Sequence, residues 1–238
     1  MPITVKSSRE IELMTEAGRI LEIVHKELEK ALHPGMTTKA IDRLGEEIIR
    51  SYGCIPSFLD YNGYPASICV SVNDEVVHGI PSEHRIIREG DIVSLDAGVI
   101  YKGYHSDAAR THCVGEVSKE AQDLVRVTRE CFFEGIKYAK EGNHLFDISG
   151  AIGRYAKERG YGVVRDLCGH GIGTALHEAP EIPNYEMKRK GVLLKAGMTL
   201  AIEPMINIGG WEVDWMDDDW TVVTRDHSLS AHYENTVL

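Results

Sequence analysis

A chain of 238 residues, 43 % apolar and 26 % charged, is long enough to bury one large core or two modest ones, which excludes a peptide, a fibre and a disordered tail. With 26 Lys and Arg against 37 Asp and Glu the net charge is −11, so attraction to phosphate backbones does not choose its partners and no specific nucleic acid is expected. Cys54, Cys69, Cys113, Cys131 and Cys168 form no CxxC pair, which speaks against a disulfide framework or a thiolate zinc site and for a reducing compartment.

The N-terminal MPITVKSSREIELM lacks the apolar run of roughly 7–15 residues that a signal peptide carries, so the chain reads as cytoplasmic with no membrane partner. Ser7 and Glu10 have capping-box spacing, and Ile11, Met14, Leu21, Val24 and Leu28 recur at helical intervals up to Pro34-Gly35, predicting a long first helix. Thr37 and Thr38 offer caps for a second helix, with Ile41, Leu44 and Ile48 as its apolar face and Gly53 as its stop. Residues 65–78 and 91–113, rich in Val, Ile and Tyr and punctuated by Asn-Asp, Pro and Lys-Gly, predict strands and hairpins. The order then recurs: a helix over about 118–140, Gly142, a helix over 146–159, Gly160, and strand-like sequence to the end.

One offset, 107, maps Gly35 on Gly142, Gly53 on Gly160, Gly90 on Gly197, and Asp96 on Glu203. Four such matches that also respect the helix-helix-sheet order imply an internal repeat, with pseudo-repeats of about 8–113 and 115–238 that place Asp96 and Glu203 across a shared axis. No Pro/Gly/Ser-rich linker separates the halves. The expected architecture is one α+β domain, residues 1–238, with a mostly antiparallel sheet covered by helices.

In IVSLDAGVIYKGYHSDAAR two acids stand in apolar, strand-forming sequence on either side of Lys102-Gly103. If that dipeptide is a two-residue loop, Tyr101 pairs with Tyr104, Asp96 lies opposite Ala109, and Asp107 is its diagonal neighbour on the same face, roughly 7–8 Å away at Cβ. Two half-buried anions at that distance raise each other's pKa unless a cation or a shared proton neutralises them, and a divalent metal is the economical answer. Glu203 in TLAIEPMINI and Glu234 in SAHYENTVL repeat the theme of an acid embedded in a predicted strand. LCGHGIGTALHEAP adds His170 between two glycines that permit close backbone approach, and His177 seven residues on. Four carboxylates and two imidazoles suit a pair of divalent ions, Mn, Fe, Co or Zn, and hence a dinuclear hydrolase. His78, in NDEVVHGIP, sits where a rigid turn ends a strand and displays its side chain; the other histidines, His105 and His232 among them, carry no site assignment. Pattern alone leaves Tyr61, Tyr64 and Trp220 equally open to a core role.

Taken together, NDEVVHGIP, SLDAGVIYKGYHSDAAR, GHGIG with a histidine seven residues on, AIEPM and ENT resemble type I methionine aminopeptidases nearly end to end. The resemblance implies the pita-bread fold, a pseudo-two-fold arrangement in agreement with the offset of 107. It also implies Asp96, Asp107, His170, Glu203 and Glu234 as ligands of two divalent ions, with Asp107 and Glu234 shared between them. Solvent activated there attacks the carbonyl after the first residue, Glu203 carries the proton, His177 helps stabilise the oxyanion, and His78 bonds the substrate backbone. The methionine pocket it implies is lined by Tyr61, Tyr64, Cys69 and Trp220, with Phe58 and Leu176 beside them. Its implied partners are the N-terminal methionines of nascent polypeptides, with room for a transient ribosome contact, and a monomer is expected.

Glu234 comes only 31 positions after Glu203, which leaves no room for the helical insertion of the type II enzymes. An Xaa-Pro aminopeptidase or prolidase resembles the same ligand set but carries an extra N-terminal domain, and a non-catalytic peptide-binding relative is disfavoured because all five ligand positions are filled. A phosphatase or nuclease would add a cation beside the metals, for which Arg110 is the one nearby candidate. Because Leu238 comes four residues after Glu234, that acid is expected to sit on a poorly anchored segment and metal affinity to suffer.

Overall fold

In the computed structural model, which describes residues 3–238, the apolar spacing of residues 11–28 becomes α1 (Ser8–Ala31). The Ser7 hydroxyl accepts from the Glu10 N–H and the Glu10 carboxylate accepts from the Ser7 N–H at 2.7 Å, closing the capping box. α2 (Thr38–Ser51) starts on the Thr37 side chain and stops ahead of Gly53, where a φ of +69° ends the helical path. α3 (Lys119–Ile136) is capped by Ser118, and α4 (Leu145–Lys157) follows. Both end before the expected Lys140 and Arg159. In α3 the N–H groups of Tyr138 and Ala139 donate to Gly135 and Ile136, three residues back, so the chain tightens into turns.

All strand pairs among the described residues are antiparallel. The longest joins Ile92–Tyr101 to Tyr104–Cys113 through Lys102-Gly103, whose φ values of +49° and +86° match the right-handed twist of the strands. Tyr101 faces Tyr104, Asp96 faces Ala109 and Asp107 faces Gly98, the register expected from a two-residue loop. Ile68–Val72 and Ile55–Pro56 pair along the other edge of 92–101, and α1 and α2 cover this sheet through a core that includes Leu21, Val24, Leu28, Ile41, Ile68 and Leu95. In the second half a sheet in the order 235–237, 200–202, 169–171, 178–182 lies with a three-stranded sheet in the order 230–232, 205–207, 162–163, a second three-stranded sheet joins 213–215 and 222–224 to 75–77 of the first half, and α3 and α4 close the core around Leu124, Leu145, Ile148 and Ile152. Each such side chain contributes ~1.5–3 kcal/mol by leaving water.

The halves repeat in their backbone. Gly35 and Gly142, Gly53 and Gly160, and Gly90 and Gly197 all have positive φ, and the isolated bridges Thr37–Ile86 and His144–Leu193 stand 107 residues apart. Between the halves, Ala109 and Glu234 exchange backbone hydrogen bonds of 3.3 and 3.0 Å, and the Thr111 hydroxyl donates to the His232 carbonyl and accepts its N–H.

The expected weak anchorage of Glu234 is corrected by these contacts. Asn235–Val237 pairs with Leu200–Ile202, Thr236 accepts from the Asp107 N–H, and the Arg110 guanidinium grips the Glu234 carbonyl and the Asn235 side chain. Spacing from the chain end carried no information about partners that lie from 33 to 129 residues away.

Candidate active site

Asp96 and Asp107 leave the 92–113 hairpin on one face as diagonal neighbours, because strand side chains alternate. His170 lies between Gly169 and Gly171, where a Cβ would come within 2.4 Å of the Ala201 carbonyl oxygen and 2.1 Å of that of Ala179. Only glycine lets the strand 169–171 approach both neighbours so closely. Glu203 follows Leu200–Ile202, and Glu234 joins Ser230–His232 to Asn235–Val237.

These five side chains line one cavity of about 170 Å³ with Phe58, Tyr61, Asn62, Tyr64, Cys69, His78, Leu176, His177 and Trp220. Every residue singled out from the sequence is therefore brought to it, and Asn62 is added. A larger cleft, about 550 Å³ between α1 and α3, borders Asp107 but holds none of the other four acids and imidazoles. Arg110 turns away from the cavity toward the carbonyls of Ala109 and Glu234, and among the described residues no Lys or Arg lines the cavity.

The charged end is dense. His170 Nε2 lies 3.9 Å from Asp107 Oδ2 and 3.7 Å from Glu203 Oε1. Its Nδ1 is 2.8 Å from the Gly171 carbonyl oxygen, to which it donates, so Nε2 is left as a lone-pair donor facing the acids. Asp107, His170 and Glu234 offer three ligand atoms within 4.8 Å of one another, as do Glu203, His232 and Glu234. Asp96 Oδ1, Asp107 Oδ1 and Glu234 Oε1 are buried without any hydrogen-bond partner. Burial pushes the carboxyls of Asp96, Asp107, Glu203 and Glu234 up, and the negative charge of neighbouring acids adds to it for the last three. Burial likewise depresses His170 to about 4. Orphaned carboxylate oxygens together with neutral imidazoles fit hard or borderline divalent ions, and the donor set contains no thiolate.

His232 went unassigned from sequence. It is 1 % exposed, neither ring nitrogen has a partner, and Nε2 lies 3.7 Å from Glu203 Oε2 and 3.9 Å from Glu234 Oε2. A usable signal was its place two residues before Glu234, since residues i and i+2 of an extended segment share a face.

The other end is apolar. Phe58, Tyr64, Cys69 and Leu176 are buried and packed together, and Trp220 meets Tyr64 edge-on at 5.1 Å. Between the two ends stand the remaining histidines. The His177 ring is 4.2 Å from that of His170, and its Nδ1 is 2.7 Å from the Tyr61 hydroxyl. His78 has a φ of +59°, a left-handed conformation uncommon for a residue with a Cβ, and its ring is 6.3 Å from Trp220. Burial lowers His78 to about 4 and His177 below its ordinary value, so both are neutral near pH 7.

The profile of metallopeptidase family M24 matches residues 12–238. A methionine aminopeptidase of Clostridium acetobutylicum is 54 % identical over 235 residues, 99 % of this chain and 94 % of the relative. Among solved structures, a methionine aminopeptidase from Thermotoga maritima superposes with a TM-score of 0.97 at 45 % identity, covering 100 % of this chain and 95 % of that one. An Xaa-Pro dipeptidase from Bacillus anthracis gives 0.78 at 26 % identity, covering 98 % of this chain but 59 % of that one.

Proposed function

The chain belongs to metallopeptidase family M24, and from that premise we propose that it removes the N-terminal methionine of polypeptides whose second residue is small. The observation that carries the reading is a single cavity that joins a cluster of unpartnered carboxylates to an apolar wall of Phe58, Tyr64, Cys69, Leu176 and Trp220. Asp96, Asp107, His170, Glu203 and Glu234 would hold two divalent ions. Those ions, Co, Mn, Fe or Zn, would supply Lewis-acid polarisation and lower the pKa of water.

The protein's own groups do the rest. Phe58, Tyr64, Cys69, Leu176 and Trp220 take the methionine side chain, whose thioether packs favourably against aromatic edges. His78, neutral at working pH, hydrogen-bonds the substrate backbone beside the scissile amide. With its Nδ1 occupied by the Tyr61 hydroxyl, His177 presents Nε2–H to the carbonyl oxygen on which negative charge develops. Glu203, which faces the same cavity, would take a proton from the attacking water and pass it to the departing amine. Nascent chains in the cytoplasm, a transient ribosome contact and a monomeric enzyme belong to the same reading.

The deciding experiment is turnover of Met-Ala-Ser against Ala-Pro-Ala after reloading with Mn or Co, with and without chelator. Release of methionine that chelator abolishes is expected. Cleavage of the proline-linked peptide alone would overturn the reading in favour of a prolidase-like activity.

A further inference from the structure

Ahead of α1, the chain places a charge in an unlikely position. Lys6 is 7 % exposed, and its ammonium meets Glu178 at 2.8 Å, with the two side chains 5 % and 7 % exposed. Glu178 directly follows His177. Its Oε2 accepts from Lys6 and, at 3.0 Å, from the Thr4 hydroxyl, while Oε1 accepts from the Ala175 N–H at 3.3 Å. One carboxylate therefore closes the segment 175–178 on itself and ties it to residues 4–6. Those residues are held in turn by the Lys6 N–H, which donates to the Gly197 carbonyl at 2.7 Å. The pair presses on Gly173, where a Cβ would lie 2.5 Å from Glu178 Oε1 and 2.6 Å from Lys6 Cε.

Sheet pairing does not fix this segment. The register of 169–171 against 178–182 shifts between His170 and Gly171, and residues 172–177 loop out before Glu178 rejoins the ladder. Backbone bonds from Ile172 to Thr199 and from His105 to Gly173 hold the start of the loop, whereas Leu176 and His177 lie at its end. Nor is stability a sufficient reason for a buried ion pair. Removing two charges from water offsets most of what their attraction returns, and apolar residues of similar volume do as well or better. What they lack is direction, which a charge-assisted hydrogen bond supplies.

Resting on the role of His177 given above, we propose that the Lys6–Glu178 pair is a positioning device for the reaction, holding Leu176 and His177 against the cavity. His177 thereby keeps its bond to Tyr61 and aims Nε2 at the scissile carbonyl. Burial opposes ionisation of Glu178, yet Lys6, the Ala175 N–H and Thr4 hold its carboxyl below the usual range, so the tether is intact at neutral pH.

The test uses the full metal-loaded chain and three changes. Lys6→Met with Glu178→Gln removes both charges and leaves neither unpaired, Gly173→Ala displaces the pair without altering it, and His177→Ala removes the group it positions. The first two are expected to keep Tm and to hold KM for Met-Ala-Ser within about twofold while kcat falls about tenfold or more, the effect of a misplaced group. In the His177→Ala background the same changes should lower kcat no further. Unchanged kcat, a Tm that falls in step with kcat, or full additivity with His177→Ala each overturns the proposal. The imidazole nitrogen resonances of His177 in zinc-loaded protein give a readout without turnover. One sharp set in the parent and a shifted or broadened set in the double variant are expected, and identical spectra overturn the coupling. If the parent released no methionine, the reading of the active site would fall, and these spectra would still decide the coupling.

Discussion

The two halves deliver their side chains to the cavity by different means. Asp96 and Asp107 come from one hairpin of ten-residue strands whose register is set by its own two-residue turn. His170, Glu203 and Glu234 come from or beside three-residue strands, each more than 30 residues from the next in sequence. A local hairpin closes a short loop, whereas the second set requires several long loops to close at once. What recurs between the halves is a set of backbone features, the positive-φ glycines and the isolated bridges at an offset of 107, under which Asp96 maps on Glu203 in the sequence. The rest of each half's contribution is its own.

Removing one proposed metal ligand from each half gives the largest expected effects and sharpens the contrast. Asp107→Asn and His170→Ala should each lower kcat/KM by about 10³-fold or more, since several kcal/mol of charge stabilisation is at stake. In metal-free protein they should differ. Asp107→Asn removes a buried, repelled carboxyl and is expected to raise Tm by roughly 2–4 °C, what ~1 kcal/mol gives in a chain of this size. His170→Ala removes a neutral imidazole and should give no such gain, so equal Tm shifts in calorimetry would break the distinction.

A somewhat smaller effect is expected where the second half depends on close backbone approach. Gly171→Ala would press a methyl against the Ala179 carbonyl and displace His170, lowering kcat/KM by about 10²-fold. Trp220→Ala, which opens the apolar wall shared between halves, should raise KM for Met-Ala-Ser about tenfold with little change in kcat. At the hairpin turn, Gly103→Ala forces a side chain into a φ of +86° and should remove only ~1 kcal/mol of stability while leaving kcat/KM unchanged. A comparable loss of activity there would show that the hairpin does not specify its own register.

Metal removal also imposes a pH dependence whose sign follows from the shifts. The buried carboxyls have folded pKa values above their unfolded ones, so the stability they contribute is present at low pH and is lost as pH rises through the raised values. His78 and His170, depressed to about 4, act oppositely: their contribution is present above the unfolded value near 6.5 and is lost as pH falls toward 4. Above about pH 6.5 the histidines have lost their effect, whereas Asp96, pushed up to about 7, still titrates. The Tm of chelated protein should therefore decline from there upward, while that of Mn-loaded protein stays level, as a thermal melt series would register.

Much of the fold was legible because its signals are local. The Ser7–Glu10 box, the Pro34-Gly35 break and the recurring glycines announced helices and stops, and Lys102-Gly103 placed Asp96 and Asp107 on one face. The end of α3 was misjudged because turns tightened by backbone bonds leave no mark on residue periodicity. His232 was passed over for a similar reason: an isolated histidine looks the same whether its ring meets a backbone carbonyl or an acid.

What the sequence determined by itself was the set of elements, the glycines that stop them and the acids that need a counter-charge, since propensity, turn chemistry and hydrophobic period act over a few residues. Only the tertiary structure decided that Glu234 is gripped by Arg110 and paired through its neighbours with 200–202, that His232 joins the acids, and that Lys6 reaches Glu178. Those contacts join residues between 29 and 172 positions apart, and the side chains carry no mark of the partner until chain packing excludes water between them.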